Sequence, residues 1–503
     1  MIWSDRHADR PHARLDGGDL DCGTGLLLAI RRHLDNLPRG HLLEVVTTAA
    51  SAEEDLPAWC RLTGNALVSC VRRDGEFSFL MCKGALTGRS GRRLPKPPSV
   101  NGSTPHGPVP APLPAPPLPP LAVLAPGSWP RPRWLLRALY DHLDGHTTEA
   151  EFHEIADDAV RLAVAAQLRA GADVVTDGEQ RRDHTFTGVA CRIDNCQAVP
   201  VADLLPYAAN AEAFEAELAA LGVDPARVRQ PVTLSALKRV QPLATHECDY
   251  LRKITPRPMT VHLPGPYLLT RLLSLEFATG LESPPREDLS DEVVTVLREE
   301  LAHLLAAGTA LVQFDEPGLA DVAARRPHAD RSFPGAGLAP WRDTDGELTF
   351  VGSLLNRVVA GMPRERVAVR LGPPARDDRG PGGDYVGMVP LLRTIQVGTF
   401  FFQMSDVRPG AMAGLRALPD CYRIGVGVVR ADSAESVAAA FARAEEAIAH
   451  FGLERVLLAP DAGFAPHAHG SLTTATAESK LAVVSQAARL LRKRYGVSSE
   501  PRS

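Results

Sequence analysis

From residue 121 onward the chain repeats one pattern eight times: a short apolar run closed by Gly, Pro or an acid. The runs are LAVLAPGS (121–128), ADVVTDGE (172–179), MTVHLPGP (259–266), ALVQFDEP (310–317), RVAVRLG (366–372), TFFFQMSD (399–406), YRIGVGVV (422–429) and VLLAPDAG (456–463). Such runs predict strands buried on both faces, and helix-length segments separate most of them. This alternation predicts a (β/α)8 barrel, a TIM barrel, over 121–495. In that architecture the C-terminal strand ends line the active site, so the closing residues are the candidates for chemistry.

The pattern before residue 90 is different. TGLLLAIRRHLDNL (24–37) places Leu27, Ile30, Leu34 and Leu37 at helical spacing, with Gly40 beyond. HLLEVVTT (41–48) reads as a strand. SAEEDLPAWCRLTG (51–64) has a Ser cap, early acids and a closing Gly, the marks of a second helix. NALVSCVRR and EFSFLMCK alternate around Asp74-Gly75, a hairpin signal. With a short strand at ARLD, the order βαβαββ predicts a two-layer α/β sandwich over 13–88, making the chain α/β throughout.

Between the two lies a stretch, 89–120, whose part 95–120 holds 12 prolines and no periodicity. It reads as a semi-rigid polyproline linker, reaching about 3.1 Å per residue or roughly 80 Å in all. A barrel of this size has a radius of gyration of roughly 20 Å, so the linker could carry the small domain to the barrel mouth.

Composition narrows the function classes. A net charge of −5 provides no broad basic field, which argues against nucleic acid as the main partner. The polar N-terminus has no apolar secretory core, and no stretch is long and apolar enough to span a membrane, so a cytoplasmic protein without membrane partners is expected. Eight scattered cysteines are then expected to be reduced. Cys60, Cys70 and Cys82 fall inside helix or strand patterns and read as structural, as does the Cys191-x4-Cys196 pair. Cys22 differs: it precedes the first turn of a helix, where free amides and the helix dipole favour a thiolate.

LDCGTGLLLAIRRHLDNLPRGHLLEVV followed by DLPAWCRLTGNALVS resembles the TusA-like sulfur-carrier family across almost the whole small domain. In that family the Cys at the head of the first helix carries a persulfide sulfur, and Cys22 falls on it. The usual Cys-Pro is here Cys22-Gly23. The resemblance implies a persulfide on Cys22 and a sulfur donor such as a cysteine desulfurase or a rhodanese.

The barrel resembles the C-terminal catalytic domain of cobalamin-independent methionine synthase. PGSWPRP (126–132), QLRAGADVVTDGEQRRD (167–183), HLPGP (262–266), LVQFDEPGLAD (311–321) and APDAGF (459–464) stand in the family's order. By that resemblance Ser128, Glu179 and Asp315 bind the amino-acid part of a thiol substrate. A carboxylate at the mouth suits an ammonium, and Ser with backbone amides suits a carboxylate.

The family holds zinc through a His-x-Cys after the fifth strand, an acid after the sixth and a Cys after the eighth. Here Arg370, Gly372, Gln403 and Ala462 occupy those places. Zinc needs thiolate, imidazole or carboxylate donors, so no metal is expected at that site. His467 and His469, with Asp461, Asp406, Asp377 and Asp378 on neighbouring strand ends, are the alternative donors, weighed against a solvent-facing pair.

Zinc in this family lowers a thiol's pKa, and a persulfide needs less help. The combination predicts an enzyme in which Cys22 presents sulfur to a small molecule in the barrel, there to be transferred or alkylated. Arg370 would hold developing negative charge and Gln403 would donate beside it. Two other readings stay open: a methyl-folate-dependent methyltransferase with another acceptor, and a non-catalytic sulfur-trafficking scaffold.

Overall fold

The computed structural model describes residues 3–20, 26–84, 110–200, 229–273, 286–323, 344–372, 384–465 and 472–497, apart from one or two positions within some of these stretches. The chain forms two compact units, one built on Met1–Gly107 and the other on Pro108–Glu276 together with Ser283–Ser503.

The first unit runs β1 (Trp3–Ser4), β2 (Ala13–Asp16), α1 (Leu26–Asp35), β3 (Leu42–Thr47), α2 (Ala52–Leu62), β4 (Ala66–Arg73) and β5 (Glu76–Cys82). The sheet order is β1-β4-β5-β3-β2, with β5 antiparallel to both neighbours. Alternate strand residues point to one face. Leu43 and Val45 of β3 with Phe77, Phe79 and Met81 of β5 therefore meet Leu26, Ile30 and Leu34 of α1 and Leu56, Trp59 and Cys60 of α2. β1 was not foreseen; its two residues pair with Cys70 and Val71 and are too few to show a pattern. Cys60, Cys70 and Cys82 are buried. Burial pushes the Cys70 and Cys82 thiols up, away from reactivity, as their structural reading requires. Cys22 lies outside the described residues.

In the second unit all eight apolar runs supply barrel staves. Six parallel strands stand side by side: Thr260–Pro264, Leu311–Glu316, Val367–Leu371, Thr399–Gln403, Arg423–Val429 and Val456–Pro460. The first two staves close the ring through single parallel bridges, Val123 to Leu458, Leu124 to Val174 and Val175 to Met259. Leu124, Val174, Leu311, Ala368, Phe401, Leu457 and Ala459 fill the interior, and a much larger apolar layer packs the outer faces against the helices. An antiparallel hairpin, Asp194–Pro200 with Arg229–Lys238, is added after the second stave.

The linker is shorter than its proline content suggested. Residues 110–120 are fixed to the N-terminal end of the barrel, away from the mouth. The Leu113 amide donates to the Leu305 carbonyl (3.1 Å), and Leu113 accepts from Arg366. Arg423 donates to the carbonyls of Leu118 and Pro119 (3.1 and 3.3 Å). Polyproline carbonyls have no N–H partners of their own, and these two arginines supply them.

Candidate active site

Strand register decides which side chains line the mouth. Leu311 points inward, so Gln313 and Asp315 do too, and His262 lies level with Gln313 on the neighbouring strand. By the same alternation Arg370 lies level with Asp315, Gln403 follows Phe401, and Asp461 follows Ala459. A polar belt thus sits directly above the apolar plug. Asp315 and Glu316 are split by the alternation. The Glu316 carboxylate caps the helix Pro266–Leu273, accepting from the amides of Tyr267 (2.9 Å) and Leu268 (3.0 Å), and burial pushes its pKa up to about 8.

On the side formed by the second to fourth staves, ligand-type chemistry is left open. Glu179 is 2% exposed. Thr185 donates to its Oε2 (2.6 Å), while Oε1 is buried with no hydrogen-bond partner. The neighbouring cation is Arg182, whose Nη1 is 3.7 Å from Oε1. That guanidinium is already committed: Nε and Nη2 donate to Glu247 (both 2.7 Å) and Nη1 to the His262 carbonyl (3.0 Å). Glu179 itself has φ of +53°, and its backbone is clamped, with the amide donating to Asp177 Oδ1 (2.8 Å) and the carbonyl accepting from Arg131 (2.8 Å). On the same side Asp315 accepts from Gln313 (2.6 Å) and lies 3.7 Å from His262 Nδ1. A buried carboxylate oxygen without a donor costs free energy unless a cation or N–H is supplied from outside.

On the side formed by the fifth to eighth staves most polar groups bond to one another or to the backbone, although Arg370 Nε is buried without a hydrogen-bond partner. Arg370 Nη1 donates to the carbonyls of Pro460 (3.1 Å) and Asp461 (2.5 Å), and the guanidinium lies over the Phe401 ring (5.1 Å). Burial lowers its pKa, with Asp315 and Asp461 opposing. The Met404 amide donates to Asp461 Oδ1 (3.0 Å), and burial pushes the Asp461 carboxyl up to about 7. Ser128 Oγ accepts from the Ala465 amide (3.2 Å). The Gln403 backbone is tied to Tyr385, whose hydroxyl donates to its carbonyl and accepts from its amide (3.2 and 3.1 Å).

Zinc does not fit this edge. Arg370 brings a cation where a ligand is needed, and Gly372 has no room for a donor, since a Cβ there would lie 1.9 Å from the Pro317 carbonyl oxygen. Among the described residues no three His, Cys, Asp or Glu side chains are grouped to hold a metal. His467, His469, Asp377, Asp378 and Asp406 lie outside the described residues.

Two family descriptions match the chain: "Cobalamin-independent synthase, Catalytic domain" over residues 122–334, and "Sulfurtransferase TusA" over 25–83. The barrel is methionine synthase-like. Methionine synthase of Sulfurisphaera tokodaii is 26% identical over 203 residues, which are 40% of this chain and 53% of that protein. A 5-methyltetrahydropteroyltriglutamate–homocysteine methyltransferase of Streptomyces griseus is 28% identical over 202 residues, 40% of this chain and 23% of that one. The chain spans about half the length, or less, of these curated relatives. A B12-independent methionine synthase from Shewanella sp. W3-18-1, solved with selenomethionine, superposes with a TM-score of 0.55 at 21% identity, covering 75% of this chain and 99% of that one. The Listeria monocytogenes structure gives 0.53 at 17% identity, covering 74% and 98%. These two likenesses establish the shared fold.

In the methionine synthase-like barrel, Glu179 and Asp315 face the open side of the mouth, while Ser128 and Arg370 are engaged with the loop after the eighth stave. Three residues that sequence reasoning missed are His262, Gln313 and Arg182. The VHLPGP run offered a signal for the first, an imidazole among apolar residues in a buried strand. Arg182 was visible only as one charge in EQRRD.

Proposed function

We propose that the chain is a transferase in which Cys22 carries sulfur to a small amino-acid-like molecule bound at the barrel mouth, and that it works without the family's zinc. The observation carrying this reading is the buried, unpartnered Oε1 of Glu179 beside a fully committed Arg182. Such an oxygen suits a ligand ammonium, and Asp315 supplies a second acceptor. Ser128, whose Oγ still has a hydrogen to donate, suits the carboxylate. Arg370 places fixed positive charge where the family places a metal, which favours a sulfur anion. Gln403 stands on the same edge as a neutral donor.

The carrier half belongs to the same reading. Cys22, at the head of its helix, would be loaded by a sulfur donor such as a cysteine desulfurase or a rhodanese in the cytoplasm. The segment between the two units keeps the sulfur at about millimolar effective concentration near the barrel, whereas separated halves must meet by diffusion. The small domain at 13–88 and the barrel at 121–495 are the working parts, with a tether ending at residue 109 rather than 120.

Methyl transfer from a methyl-folate is the second reading, favoured by the match over the first four staves. Calorimetry with homocysteine, cysteine and methionine tests the grip, and intact mass after purification without reductant tests the carrier. A mass gain of one sulfur that is lost in Cys22→Ser, with binding of one of the three amino acids, supports the proposal. No added sulfur together with turnover of methyl-folate and a thiol by the barrel alone would establish the second reading.

A further inference from the structure

The reading above leaves His262 without a task. Its ring is 6% exposed on the inner wall, next to the apolar plug. A buried imidazole at such a place needs polar partners. Gln313 Nε2 donates to Asp315 Oδ1 (2.6 Å) and stands 3.0 Å from His262 Nδ1. The carboxylate fixes which end of the amide is NH2, because the amide oxygen would be repelled there. The second N–H of that NH2 meets Nδ1, so Nδ1 is the acceptor and the neutral ring carries its proton on Nε2. Among the described residues Nε2 has no hydrogen-bond partner, and it is not among the sealed buried atoms.

Gly127 ties this ring to Glu179. A Cβ on Gly127 would lie 2.6 Å from His262 Nδ1 and 2.6 Å from Glu179 Oε1, so the two side chains share the space a larger residue would fill. The His262 ring, with its Nδ1 edge toward Gly127 and its spare Nε2–H on the far edge, therefore lies beside the spare Glu179 oxygen in the mouth. An α-amino acid carries its ammonium and carboxylate on one carbon, which is the complementary arrangement.

We propose that His262 is a ligand-contacting, specificity-determining residue whose Nε2–H donates to the α-carboxylate of the ligand while Glu179 takes the ammonium. This rests on the amino-acid reading of the mouth and narrows it to α-zwitterions over simple amines.

The test is calorimetry of the full chain with homocysteine and with 3-aminopropane-1-thiol, its decarboxylated counterpart. The expected result is about tenfold tighter binding of homocysteine, ~1.4 kcal/mol. His262→Leu should reduce that preference by about threefold or more, the remainder resting on Ser128, and His262→Gln, which keeps an N–H donor, should restore part of it. Should His262→Leu fail to fold, nitrogen NMR of histidine-labelled wild-type protein replaces it: the His262 Nε2–H signal should shift with homocysteine and not with the amine. An unchanged preference in His262→Leu, or a silent His262 signal, overturns the assignment. Equal binding of both ligands by the wild type overturns His262 and spares the ammonium grip. Binding of neither overturns the amino-acid reading and His262 with it.

Discussion

The two halves of the barrel mouth use similar residue types in opposite ways. Across the second to fourth staves, Glu179 keeps a buried oxygen with no hydrogen-bond partner, 3.7 Å from Arg182, and the His262 ring lies beside it. Across the fifth to eighth, Arg370 and Asp461 bond mainly to backbone carbonyls and amides, and Ser128, at the end of the first stave, accepts from the Ala465 amide after the eighth. The family match ends at residue 334, after the fourth stave. One half keeps a buried carboxylate oxygen without a hydrogen-bond partner, and in the other Arg370 and Asp461 bond largely to the backbone. Charge alone does not mark a binding residue: Arg370 and Glu179 are both buried and ionisable and each keeps one buried atom without a hydrogen-bond partner, but Arg370 also spends Nη1 on two backbone carbonyls.

The comparison breaks first if the wall can be made to hold a metal. Gly372→Cys should destabilise by about 3 kcal/mol or more, because the new Cβ meets a backbone oxygen rather than a flexible side chain. Urea unfolding measures this. A stable Gly372→Cys protein, or one that takes up zinc once Arg370→His, Gln403→Glu and Ala462→Cys are added, would show that the wall is not closed.

The open half is tested by Glu179→Gln, which removes the ammonium's buried partner. Affinity for the amino-acid ligand should fall by about 2–5 kcal/mol, with little change in urea midpoint. An equal loss in Arg370→Met would erase the distinction between the halves.

Asp461 sharpens it through pH. The folded protein holds its carboxyl at about 7, above the ordinary value of 3.8, so it keeps a proton that the unfolded chain gives up. Stability from this group therefore falls as pH rises from about 4 to 7 and is level above that window, by at most about 4 kcal/mol. Asp461→Asn should flatten that slope. The decline that remains in Asp461→Asn comes from Asp177, raised to about 6, and from Glu316, raised to about 8, which fall with the same sign and extend it toward pH 8. A surface reference completes the series: Arg494 pairs with Glu445 at 2.8 Å but is 60% exposed, and Arg494→Ala should change stability by less than about 0.5 kcal/mol.

Most of the architecture was legible because strand runs and their closing residues obey local rules. All eight runs become staves, and Asp74-Gly75 stands between β4 and β5 as the hairpin signal required. Glu179 and Asp315 were legible as strand-end acids. What escaped depended on partners far along the chain. Nothing local says that Arg370 reaches carbonyls ninety residues later, that Arg182 is spent on Glu247, or that Gln313 orients His262. The proline run misled for the same reason, since Arg366 and Arg423 lie in distant segments.

The backbone at Glu179 has one more consequence. A glutamate at φ of +53° occupies a region costing about 1 kcal/mol or more for any residue with a Cβ. Glycine would sit there without strain, so the sequence has declined its most comfortable choice at that turn. Selection for robustness alone would drift toward Glu179→Gly, yielding a sturdier and inert barrel. If Glu179 grips the ligand as proposed, durability and ligand capture pull in opposite directions at this turn, and a screen for heat resistance without a binding requirement should recover that substitution.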